Sequence, residues 1–186
     1  EIKKEISLLK EKTKKVPSLS VILVGNYASS EIYVKNKLKK SKEVGINSSI
    51  IRYPIDVSEK EVLKKIIELN EDSKVSGILV QLPLPKQINK EKIINLIHPS
   101  KDVDGFHPIN VGNLASGYHA ITPCTPLGCS ILIKKIENNL IGKHAVIVGR
   151  SNLNGKPMAQ LLLKENCTVT IVHSKTKNIK DECLKA

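Results

Sequence analysis

Short apolar runs alternate along the chain with longer stretches in which apolar residues recur every three or four positions. "LSVILVG" (19–25), "SSIIRYPI" (48–55) and the "VSGILV" of "VSGILVQLPLP" (75–85) have the length and branching of buried strands, and the segments between them carry the helical period. The second of those helices, "SEKEVLKKIIELN", opens with Ser58 and has Glu61 three residues on, a capping box in which each side chain satisfies an orphan amide. A β-α-β-α-β rhythm whose strands are apolar on both faces predicts a parallel sheet sandwiched by helices.

A second pattern follows "INKEKIINLI" and a polar stretch, "HPSKDVDGFHPINVGN" (98–113), that reads as loop. Thr125 and Pro126 form an N-cap and N1 pair for a helix over "PLGCSILIKKIEN", suited to bridging two lobes. Strand "HAVIVG" (144–149), helix "GKPMAQLLLKEN" and strand "CTVTIVH" (167–173) then make one βαβ unit, the opening of a nucleotide-binding fold. The predicted architecture is α/β in two lobes: a parallel-sheet catalytic domain over 1–120, and from 121 to 186 the start of a Rossmann-like domain.

Composition narrows the function. A net charge of +12 invites nucleic acid, but only two of the 30 basic residues are arginines, Arg52 and Arg150, and the lysines spread through every segment instead of forming a stripe. With four Tyr, one Phe and no Trp there is little to stack on bases, so no nucleic-acid partner is expected. No apolar run approaches the roughly 20 residues of a membrane span, and the charged, helical "EIKKEISLLKEKTKK" is unlike a signal peptide. These features fit an enzyme of the cytosol or an organelle matrix, with no membrane partner, and a cytoplasmic location is expected. Cys124, Cys129, Cys167 and Cys183 lack paired C-x-x-C spacing and zinc-spaced histidines, which predicts reduced, half-buried thiols and no metal site.

The candidate chemistry starts in "SSEIYVKNKLKKSKEVG" (29–45), which holds five lysines and one tyrosine. At about 100° per residue, Tyr33, Val34, Lys37, Leu38, Ser41 and Val44 share one arc, and the other lysines fall on or beyond its edges. Lys37 alone sits among residues of buried type, one turn after Tyr33. Burial disfavours the charged form of an amine, and an amine near neutrality serves as base or acid. The competing reading is a lysine that snorkels its ammonium to the helix edge.

Ligands bind where the strands of an open parallel sheet end, and "VQLPLP" and "DVDG" are polar loops suited to that edge. Gln81 stands at its strand end within reach of an uncharged Lys37 or a substrate, and Asp104 offers a carboxylate to a heterocycle bearing N–H donors. The plainer readings are a surface glutamine and a turn aspartate. In "HAVIVGRSNLNGKP", Gly149 permits a sharp exit from the strand and Gly155 lets a helix approach the sheet, so that helix-end amides receive phosphate; a bare structural turn is the lesser, competing reading. The following strand ends "VHSKT" with no acid to hold ribose hydroxyls, while Ser174, Lys175 and Arg150 suit a 2′-phosphate, favouring NADP over NAD.

Six segments in order, "SSEIYVKNK", "GILVQLPLP", "KDVDGF", "ITPCTPLG", "VGRSNLNGKP" and "HSKT", resemble the bifunctional methylenetetrahydrofolate dehydrogenase/cyclohydrolase family from about residue 19 onward. The resemblance implies NADP-linked oxidation of 5,10-methylenetetrahydrofolate and hydrolysis of the methenyl product to 10-formyltetrahydrofolate. It implies a catalytic set of Lys37, its partner Tyr33, the orienting Gln81 and the pterin-holding Asp104, with the backbone around Val80 and Leu82 lining the folate pocket. Gly149, Arg150, Ser151 and Ser174 match the NADP contacts, and tetrahydrofolate derivatives and a second copy in a homodimer are the implied partners. Asn154 stands where the family usually has an apolar residue. The chain also ends at Ala186, ahead of the family's Pro-Gly-Gly-Val-Gly segment, and lacks some N-terminal residues, so a longer protein with a complete Rossmann sheet is expected. A monofunctional dehydrogenase, or a related two-lobed dehydrogenase, is the alternative.

Overall fold

The computed structural model describes residues 1–186, the side chain of Ser29 excepted. The chain divides into two compact units, Glu1–Val103 and Asp104–Ala186.

In the first unit, helix α1 (Ile2–Thr13) precedes β1 (Ser18–Val24), α2 (Ala28–Val44), β2 (Asn47–Tyr53), α3 (Glu59–Glu71), β3 (Gly77–Val80) and α4 (Lys90–Leu96). The three strands form a parallel sheet in the order β2-β1-β3, as the strand pattern predicts. Alternation along β1 explains why both faces need covering. Ile22 and Val24 enter a cluster with Val62, Ile66 and Ile93, whereas Val21 and Leu23 face Val34 and Leu79 on the other side. The edge strand β2 keeps only part of this burial. The capping box at α3 is present, with Ser58 Oγ accepting from Glu61 N at 3.3 Å.

The second unit holds α5 (Pro108–Ala115), α6 (Cys124–Ile136), β4 (His144–Val148), α7 (Gly155–Lys164), β5 (Thr168–Val172) and α8 (Ile179–Cys183). Strands β4 and β5 pair in parallel, and Leu140, Leu162 and Cys167 form the small core with Ile133 and Met158. Two expectations change. The stretch read as loop contains α5, whose cap is His107: its Nδ1 accepts from Ile109 N at 3.1 Å, and Pro108 takes the first turn, where its missing N–H costs nothing. Helix α5 packs on α7, and the compact units part after Val103. Helix α6 begins at Cys124 with Pro123 in the cap position, so Thr125 is inside the helix and caps nothing.

Candidate active site

Helix α2 lies on the sheet through one narrow face. Ser30, Val34 and Ser41 are buried, and Lys37, Leu38 and Val44 are half-buried, a spacing that returns to the same side every turn. The helix ends at Gly45 in the left-handed conformation (φ 93°), with Ile46 N donating to Ser41 O at 2.8 Å and Gly45 N to Lys42 O at 3.2 Å, which satisfies two of the carbonyls in the last turn.

Lys37 projects from this face toward the carboxyl end of β3. Its Nζ donates to Gln81 Oε1 at 3.1 Å. Gln81 is itself fixed twice: its backbone N donates to Ile22 O at 2.9 Å, and its Nε2 donates to Leu82 O at 2.8 Å. A carbonyl only accepts, so the atom facing Leu82 must be the amide nitrogen, which leaves the amide oxygen for Lys37. Val80 is buried beneath this group and Leu82 half-buried beside it, where the Leu82–Pro83 peptide is cis. The arrangement is an amine held by a neutral acceptor at a sheet edge.

Tyr33 departs from the expectation of a shared buried arc. It is 63% exposed, and among the described residues no hydrogen bond joins it to Lys37. The sheet covers a narrower sector of the helix than the arc spans, and Tyr33 falls outside it. Ser30 belongs to the buried face instead, two turns before Lys37. It is 2% exposed, and its Oγ has no hydrogen-bond partner among the described residues. A helical projection begun at Ile32 omits Ser30; carrying the period one turn back finds it.

Asp104 is the first residue of the second unit and half-buried. Gly105 follows with φ 69°, and a Cβ there would stand 2.5 Å from Ile121 O, so the turn after Asp104 needs glycine for both conformation and space.

In the second unit the parallel register brings the ends of β4 and β5 to one edge, with Val148 opposite Val172 and Gly149 N donating to Val172 O at 2.8 Å. Gly149, Arg150, Ser151 and Ser174 therefore share that edge. Ser151 Oγ accepts from Asn154 N at 3.1 Å and Ser151 O from Lys156 N at 3.1 Å, closing the loop onto the start of α7. Asn154 is exposed at the cap position, which explains how a polar residue is accommodated there. "HSKT" forms a tight turn in which His173 N donates to Thr176 Oγ1 at 2.9 Å, leaving Ser174 and Lys175 exposed. Arg150 is exposed and forms no ion pair among the described residues. An exposed guanidinium, two hydroxyls and a glycine-lined loop suit a phosphorylated dinucleotide, and no acid competes at the end of β5.

The thiols divide by position: Cys124 and Cys129 are exposed, Cys183 is half-buried and Cys167 is buried, so only Cys183 is half-buried as expected of all four.

Comparison with known proteins also finds two parts in the chain. Residues 1–104 match the family described as tetrahydrofolate dehydrogenase/cyclohydrolase, catalytic domain, and residues 123–186 match its NAD(P)-binding domain. The Bifunctional protein FolD of Pelagibacter ubique is 65% identical over 186 residues, covering 100% of this chain and 66% of that protein. The crystal structure of the bifunctional enzyme FolD from Campylobacter jejuni superposes with a TM-score of 0.92 at 47% identity, over 96% of this chain and 63% of that one. The Trypanosoma brucei methylenetetrahydrofolate dehydrogenase-cyclohydrolase, solved with NADP cofactor and inhibitor, gives 0.90 at 35% identity, over 97% and 62%. The chain thus spans just under two thirds of the length of the curated relative it matches.

Proposed function

The chain belongs to the tetrahydrofolate dehydrogenase/cyclohydrolase family, and from that premise we propose that it oxidises 5,10-methylenetetrahydrofolate with NADP and hydrolyses the resulting 5,10-methenyl cation to 10-formyltetrahydrofolate. The observation that carries the reading is the hydrogen bond from Lys37 to Gln81. NADP would supply the hydride acceptor for oxidation of the one-carbon bridge, a reaction that asks the protein for positioning more than proton transfer.

Hydrolysis needs more. Water adds to the methenyl carbon, one of its protons goes to Lys37, the bond from that carbon to the ring nitrogen breaks, and Lys37 returns a proton to the departing nitrogen. The second water proton leaves as the formyl carbonyl forms. The partner of Lys37 is a neutral amide, so the contact persists whether the amine carries two hydrogens or three, as a proton shuttle requires. Asp104 accepts from the pterin N–H groups, the backbone of Val80 and Leu82 borders the folate, and Tyr33, exposed one turn from Lys37, offers its ring to the substrate. Gly149, Arg150, Ser151 and Ser174 would hold NADP, with the exposed Arg150 guanidinium supplying positive charge for its 2′-phosphate.

The decisive experiment is Lys37→Met in the full-length enzyme. It abolishes hydrolysis of methenyltetrahydrofolate, and a folded variant that hydrolyses normally overturns the assignment. No structural observation favours a dehydrogenase lacking the second activity.

A homodimer joined through the second unit is part of the same reading. Its support is the family resemblance together with the exposed Leu132, Ile136 and Val148, apolar surface suited to a protein partner. Sedimentation of the full-length enzyme tests it. The cytoplasmic location belongs to the proposal as well; among the described residues no helix is long and apolar enough to cross a membrane.

A further inference from the structure

Helix α3 has acids in its first turn, Glu59 and Glu61, and no base in its last. The missing cation comes from a distant part of the chain. Lys101 Nζ donates to Leu69 O at 2.9 Å, Asn70 O at 2.7 Å and Asp72 O at 2.8 Å, using all three ammonium donors on carbonyls at the negative end of the helix. Asn70 adds a second tie, with Nδ2 donating to Leu96 O at 2.7 Å and Oδ1 accepting from His98 N at 2.9 Å. The stretch from Leu96 to Lys101 is therefore bound to the end of α3 by side chains on both partners.

The same stretch continues as an extra strand-like segment beside β3. Ile78 N donates to Lys101 O at 2.7 Å, and Ile78 and Asp102 form a parallel bridge. The approach is close enough that a Cβ on Gly77 would lie 2.3 Å from Val103 Cγ1. The segment runs in the direction of β3, whose far end carries Gln81, and Asp104 follows directly after Val103.

We propose that Lys101 is a positioning residue for the folate substrate: by capping α3 it fixes the register of 101–103 against β3, and so the backbone from which Asp104 issues. This rests on the reading that Asp104 grips the pterin. An ammonium with three carbonyl partners holds one geometry, whereas a single bond would leave the segment free to slide.

The test uses the full-length enzyme with Lys101→Met, Lys101→Arg, Lys101→Gln and Asp104→Asn, each measured for KM of methylenetetrahydrofolate, KM of NADP and thermal midpoint. K101M raises the folate KM about tenfold and leaves the NADP KM unchanged, and K101R, which keeps charge and donors, recovers most of the loss. A purely stabilising lysine would lower the thermal midpoint and leave the folate KM alone. Folded K101M with an unchanged folate KM, beside a D104N whose folate KM rises, overturns the role of Lys101 only. D104N with an unchanged folate KM overturns the reading of Asp104 and the positioning role with it. K101Q, which stays polar but removes the ammonium and its grip on three carbonyls, is read in the same way if K101M is too unstable to purify.

Discussion

A Cβ placed on Gly155 would lie 2.1 Å from the carbonyl oxygen of Gly149 and 3.0 Å from Arg150 Cα. The first turn of α7 and the exit of β4 are therefore in backbone contact. Neither backbone can retreat cheaply, because Gly149 N is bonded to Val172 O and Lys156 N to Ser151 O. Gly155→Ala is expected to destabilise the fold by about 1–3 kcal/mol and to raise the KM for NADP more than that for folate. Thermal melts and steady-state kinetics of the full-length variant check both effects.

Gln81 offers a cleaner separation of the two activities. Gln81→Met keeps the size of the side chain and removes the acceptor for Lys37. Hydrolysis of methenyltetrahydrofolate should fall by about 10²-fold or more, in line with loss of a positioned acid–base group, while oxidation falls far less. Assaying the half-reactions separately reads this directly, and equal losses in both would argue against it.

Acid stability carries the signature of one pair. The Arg52 guanidinium hydrogen-bonds both oxygens of Glu31 and holds its carboxyl below the ordinary value of 4.5. A carboxyl lowered in the folded state contributes stability that is present in full above its unfolded value and lost as pH falls through the folded one. The pair is exposed, so the contribution is small. Glu31→Gln should lose a little stability near neutrality and show a shallower decline in thermal midpoint below pH of about 4.5. Carboxyl titration by NMR gives the Glu31 value independently.

Thiol reactivity should sort the cysteines. Burial pushes the Cys167 thiol above its ordinary value, with the nearby Glu165 charge adding to the effect, and its Sγ donates to Leu140 O at 3.4 Å. Cys124 and Cys129 are exposed. A thiolate-selective reagent under native conditions should modify those two quickly and reach Cys167 only on unfolding; mass mapping of the labelled sites decides.

Much of this architecture is legible in the residue pattern, for identifiable reasons. β1 shows itself because four successive apolar positions, Val21–Val24, fill two cores by turns, and α3 because its cap and its apolar stripe agree. Periodicity singles out Lys37 as a candidate, since a charge amid buried-type neighbours is conspicuous, and leaves the snorkelling lysine as the competing reading. What stays hidden depends on long-range placement. Helix α5 is short, lacks charge and is capped by a histidine, so it looks like loop. The exposure of Tyr33 follows from how wide a sector of α2 the sheet covers, which no single helix encodes. Lys101 reads as one solvated lysine among many until α3 is placed beside it.

The strand order β2-β1-β3 has a consequence for biosynthesis. β1 leaves the ribosome before β2 and β3, yet it lies between them in the sheet, with neighbours that end at Tyr53 and Val80. Until that later chain has emerged, "SVILV" has no partner on either side, an apolar and β-prone stretch in search of one. For several seconds at ordinary translation speed those five residues stay uncovered by their sheet neighbours, an interval in which association with another chain competes with folding.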